Sequence, residues 1–109
     1  MQRFGMVIGI RPEKISEYKK LHAEAWPEIL ATLRANDVRN FTIFLKEPEN
    51  LLFGTFDYIG SDYVEAARRI AADPATQRWW KLTDPCQIPL ETRKPGEWWA
   101  FMPQVFHLD

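Results

Sequence analysis

The chain has one cysteine, two histidines and five glycines among its 109 residues, and each scarcity removes a class of chemistry. A lone Cys86 forms no internal disulfide, which fits a reducing compartment, so a cytoplasmic location is expected. His22 and His107 lie far apart, and no His-Glu-x-x-His or paired-cysteine spacing exists, so no metal site is expected. The scattered glycines make no G-x-G-x-x-G or other phosphate cradle. Basic surplus is also missing: Lys and Arg number 14 against 15 Asp and Glu, for a net charge of -1, which removes the electrostatic case for nucleic acid. No apolar run approaches the ~18 residues of a membrane span. The opening Met1–Phe4 stretch does not have the pattern of a signal peptide.

What the chain does have is aromatic surface, with five tryptophans in a single expected domain covering 1–109. Residues 3–10 read as a strand whose two glycines allow close packing against it. Pro12 and Glu13 open a helix carrying Ile15, Tyr18, His22 and Trp26 as one stripe, and Pro27 restarts it until Asn36-Asp37 ends it. Phe41, Ile43 and Leu45 alternate with Thr42 and Phe44, and after the turn at 47–50 a return strand runs from Leu51 to Tyr58, a β-hairpin. Ser61 or Asp62 caps a third helix, and Asp73-Pro74 caps a fourth that carries Trp79 and Trp80. A proline-rich loop is expected at about 84–101, and a final strand at 102–108. The order strand, helix, hairpin, helix, strand predicts an α+β ferredoxin-like βαββαβ plait, whose free sheet face can pair with a second copy in a dimeric α/β-barrel assembly.

With so few groups able to do acid–base work, Tyr18, His22 and Trp26 draw attention, because four-residue steps align them on one helix face. Histidine is the side chain that both gives and takes a proton near neutrality. Spacing alone favours an amphipathic helix with a hydrogen-bonded histidine in or near the core. Adjacent residues on a helix point about 100° apart, so at most one of Trp79 and Trp80 need face a cavity. Cys86 lacks any nucleophile signature and reads as an incidental thiol.

Glu17-Tyr18 with His22, Trp26-Pro27-Glu28, Asn40 to Leu45, Asn50 to Phe53, Gln77 to Lys81 and the closing Val105-Phe106 form a series of short segments in a fixed order. Taken together they resemble the L-rhamnose mutarotase family, small cofactor-free enzymes that interconvert sugar anomers. The resemblance covers nearly the whole chain and implies a homodimer acting on a monosaccharide. It implies that His22 is the catalytic proton donor, and that Tyr18, Trp79 and Trp80 contact the sugar. The family's second sugar-contacting tyrosine falls on Phe41, which keeps the ring but has no hydroxyl. The segment Thr83–Met102, with Glu97-Trp98-Trp99, also departs from the family pattern. Both departures fall where the sugar is read, so L-fucose stands beside L-rhamnose as an expected 6-deoxy substrate. His22 is expected to protonate the ring oxygen during opening and recover that proton on closure. Water, Tyr18 or a carboxylate such as Glu97 remain open as the second acid–base group. Two other classes fit a chain of this kind, a cofactor-independent monooxygenase of the dimeric barrel type and a non-catalytic sugar-binding module.

Overall fold

The computed structural model describes all 109 residues. Strand β1 (Gln2–Ile10) is followed by a 3-10 turn at Pro12–Lys14 and helix α1 (Ile15–Ala23). Helix α1 ends at Ala23, before the Trp26-Pro27 step, so Trp26 lies outside the stripe of Tyr18 and His22: a residue before proline is driven to extended backbone, and Trp26 has φ -66° and ψ 134° as the N-cap of the next helix. Proline then starts α2 (Pro27–Ala35), where its missing N–H costs nothing. The hairpin is β2 (Val38–Lys46) and β3 (Leu51–Tyr58). Helices α3 (Tyr63–Ala72) and α4 (Pro74–Thr83) follow, each capped as its sequence predicts: the Asp62 carboxylate accepts from the Glu65 N–H, and that of Asp73 from the Thr76 N–H. No helix is long and apolar enough to cross a membrane.

All strand pairings are antiparallel, in the order β2-β3-β1, with the far edge of β1 shared by two short strands, β4 (Gln87–Ile88) and β5 (Ala100–Met102). This is the ferredoxin-like plait with its last strand split in two. The expected final strand at 102–108 is therefore displaced: only Met102 of that stretch is in a strand, and 103–109 has none. The stretch expected as loop instead contains a 3-10 turn at Asp84–Cys86, all of β4 and most of β5. Both corrections have one cause. Pairing with an existing strand supplies hydrogen bonds to residues whose own pattern shows no alternation. Gly9 makes room for this, since a Cβ there would lie 2.8 Å from the Ile88 carbonyl oxygen.

The sheet face toward the helices carries Ile8, Ile10 and Leu52, packed with Tyr18 and Cys86, and next to them Met6, Val38 and Phe56. A third cluster joins α2 to α4 through Ile29, Ala75 and Trp79. Strand β2 has one irregularity. Its register with β3 shifts between Arg39 and Thr42, and Asn40 takes φ 53° while its amide donates to Asp57 at 2.9 Å. The inserted residue reverses the alternation, so that Val38 and Phe41 both face the helices. Asp57 is held in turn by Arg3 at 2.8 Å, and this ion pair keeps its carboxyl below the usual range, with the Asn40 bond adding to the effect.

Candidate functional site

A cavity of about 590 Å³ opens between the helix-facing side of the sheet and the helices, within the size range of small-molecule sites. It is mostly apolar and has an aromatic cluster at each end. At one end Phe41 stacks on Phe56 (centroids 5.5 Å apart), which stacks on Phe4 (5.0 Å), with Tyr63 against both. At the other, the Tyr18 and His22 rings lie 4.2 Å apart, and Trp79 meets His22 edge-on at 5.4 Å. All five residues singled out in the sequence, Tyr18, His22, Phe41, Trp79 and Trp80, line this one cavity. Trp26 stays in the core, packed edge-on against Trp79 at 5.2 Å. His107 lies elsewhere, beside Arg3 and Asp109.

The one-turn spacing of Tyr18 and His22 has a direct chemical consequence. His22 Nδ1 lies 2.9 Å from the Tyr18 carbonyl oxygen. A carbonyl only accepts, so Nδ1 carries the proton, and Nε2 holds the lone pair of the neutral ring. No group of the chain hydrogen-bonds Nε2. Burial pushes the His22 pKa below its ordinary 6.5, and the Tyr18 carbonyl offsets part of that shift. At neutral pH His22 is thus an uncharged base with a free nitrogen in an apolar cavity. Tyr18 is buried too, and its phenol is pushed up to about 12, chiefly by desolvation, so it remains protonated.

The two tryptophans differ in environment. Trp79 is 8 % exposed and belongs to the α2–α4 core, whereas Trp80 is 38 % exposed. Both still reach the cavity wall.

The tail closes the site from the sheet edge. Residues alternating along β5 and its approach, Trp99 and Phe101, face the cavity, as do Glu97 and Trp98. The Glu97 carboxylate accepts from the backbone N–H groups of Lys94 (3.0 Å) and Phe101 (3.3 Å), which braces the loop on both sides. Trp98 Nε1 donates to Gln87 Oε1 at 2.7 Å, and Gln87 Nε2 donates to Tyr18 Oη at 3.1 Å. Sequence reasoning missed Gln87, a lone polar residue in a proline-rich stretch whose partner lies 69 positions away. Asp84 also lines the cavity, and burial raises its pKa. Cys86 is fully buried, and desolvation, with Glu17 beside it, pushes its thiol up, away from nucleophilic use.

Comparison with known proteins points one way. An L-rhamnose mutarotase from Oceanobacillus iheyensis is 34% identical over 109 residues, covering 100% of both chains. Among solved structures, an L-rhamnose mutarotase from Formosa agariphila superposes with a TM-score of 0.79 at 21% identity, covering 100% of both chains. An antibiotic biosynthesis monooxygenase superposes with a TM-score of 0.60 at 17% identity, over 96% of this chain and 99% of that one; at such identity the likeness is one of fold. The profile of the L-rhamnose mutarotase family matches residues 3–108, and with a full-length relative at that identity the chain belongs to this family.

Proposed function

We propose that this protein interconverts the α and β pyranose anomers of L-rhamnose, with His22 as the proton-transfer group. The observation that carries this reading is the free Nε2 of a neutral His22 in an aromatic, mostly apolar cavity with room for a monosaccharide. Family membership supports the reaction and the sugar. Opening the ring breaks C1–O5 and forms C1=O1, with one proton leaving O1 and one arriving at O5. Both oxygens are bonded to C1, so one imidazole can serve both. Nε2 takes the O1 proton and the imidazolium gives it to O5; closure on the other face reverses the sequence. The lowered pKa favours entry as base over the acid-first order expected from sequence. Tyr18 contacts the sugar with its protonated phenol, Trp80 and the edge of Trp79 lie along its C–H face, and Phe41 meets the 6-deoxy methyl with a ring that has no hydroxyl.

Exchange between anomers, followed by saturation-transfer NMR, tests this across L-rhamnose, L-fucose and other aldoses. The expected result is acceleration largest for L-rhamnose; acceleration largest for L-fucose would move the substrate, and none for any sugar would remove the activity. Sugar binding without acceleration would mark a binding module. The pH profile tests the role of His22. A base is lost as it is protonated, so kcat/KM holds steady at high pH and falls on the acid side, with a midpoint below 6.5 because burial lowers the pKa. A charged acid would give the opposite limb, with activity lost as pH rises.

The protein is further proposed to act as a homodimer. The sheet face away from the helices carries the cross-strand pair Phe44 and Phe53, with Phe44 62 % exposed, and Val105, Phe106 and Leu108 of the tail are exposed. That apolar surface fits a second copy.

A further inference from the structure

The hydrogen bonds behind Tyr18 form a chain whose direction is set at its far end. An indole Nε1–H only donates, so the oxygen of the Gln87 side chain must face Trp98, at 2.7 Å. The amide nitrogen must then face Tyr18, at 3.1 Å, and it too only donates. Tyr18 Oη therefore accepts from Gln87, and its own proton has no acceptor in the chain. Turning the amide over would set Nε2 against the indole N–H, donor against donor. Gln87 is 5 % exposed and Tyr18 is 5 % exposed, so water offers little alternative. Both line the cavity.

We infer that Trp98 and Gln87 are positioning residues that fix Tyr18 as a hydrogen-bond donor toward a hydroxyl or ring oxygen of the bound sugar. The relay links specificity to the tail loop. Glu97 braces that loop, Trp98 stands on it, and the sense of the Tyr18 hydroxyl follows from where the indole sits. As a donor beside His22, whose Nε2 enters as an acceptor, Tyr18 gives the site one group of each kind. This rests on the mutarotase reading above, since it assigns Tyr18 a sugar oxygen as its acceptor.

Gln87→Glu is the informative substitution. A carboxylate of the same shape still accepts from Trp98, but its second oxygen can only accept and so takes the Tyr18 proton for itself. Anomer exchange of L-rhamnose by this variant is expected to fall about tenfold relative to wild type at about pH 8. The variant-to-wild-type ratio should then recover several-fold toward about pH 5, as protonation of the introduced carboxylate restores a donor facing Tyr18. His22, Asp84 and Glu97 face the same cavity, and Glu17 with Cys86 packs behind it; taking the ratio removes their shared titration. Trp98→Phe keeps the ring and removes the donor, freeing the amide to turn, and should lower exchange about threefold without a change in melting temperature. A readout independent of activity is the Trp98 indole N–H resonance, assigned by its loss in Trp98→Phe, which should move upfield in Gln87→Met. If wild type accelerates exchange and the Gln87→Glu ratio stays at one across pH, the relay is wrong while the mutarotase reading stands. If wild type accelerates nothing, that reading falls, and an indole resonance unmoved in Gln87→Met overturns the relay as well.

Discussion

Replacing His22 by alanine is expected to leave a folded protein in which anomer exchange has dropped by ~10²–10⁴-fold, the usual contribution of a positioned acid–base group. That corresponds to about 3–5 kcal/mol of barrier, enough to bring a modest catalyst near the rate of the reaction in water. The loss should fall on kcat, because Nε2 acts on a proton in flight and not on a contact that persists in the ground state. Stability should change little, since His22 is half-buried and its one hydrogen bond is to a helix carbonyl one turn back. His22→Asn separates the ring's two functions. An asparagine amide can still donate to the Tyr18 carbonyl but has no basic nitrogen in the place of Nε2. It is expected to be as inactive as alanine, and its melting temperature should match wild type. Saturation-transfer NMR at equal protein concentration reads both variants, and wild-type exchange in either would remove His22 from the mechanism.

What could be read in advance follows the range of the interactions involved. The caps Asp62 and Asp73, the helix restart at Pro27 and the hairpin are local, and each lies where its own residues indicate, although the first helix ends at Ala23 and leaves Trp26 outside it. The ring contact of Tyr18 with His22 is also local, a one-turn contact that spacing alone supplies. Strands β4 and β5 are not local. Two and three residues long, they exist because β1 offers a free edge, and neither has enough residues to show a period. The inward turn of Phe41 agrees with the alternation of Phe41, Ile43 and Leu45, yet Val38 shares that face only because Asn40 is inserted between them at φ 53°. Gln87 shows the limit most clearly. Its partners Tyr18 and Trp98 are 69 and 11 residues away, and nothing about a glutamine after Pro85-Cys86 announces that it will be buried.

The resemblance treats Trp79 and Trp80 as a pair, but their surroundings predict opposite losses. Trp79→Ala should cost ~3–5 kcal/mol of stability, as for other buried large-to-small changes, because the side chain fills the space between α2 and α4 beside Ile29 and Ala75. It also removes the T-shaped ring contacts with His22 and Trp26. Any loss of activity in that variant would be mixed with partial unfolding at assay temperature, so it does not report sugar contact cleanly. Trp80→Ala is the cleaner probe. With 38 % of its surface exposed, Trp80 contributes less to the core, and its removal should cost about 1 kcal/mol or less. If Trp80 stacks on the sugar, its loss should raise KM about tenfold, equivalent to about 1.4 kcal/mol of binding, with kcat nearly unchanged. Urea denaturation and exchange kinetics on the two variants give four numbers. The expected pattern is a large stability loss with Trp79→Ala and a large KM rise with Trp80→Ala. Equal stability losses would mean that Trp80 is also a core residue, and an unchanged KM in Trp80→Ala would take its indole out of the sugar site.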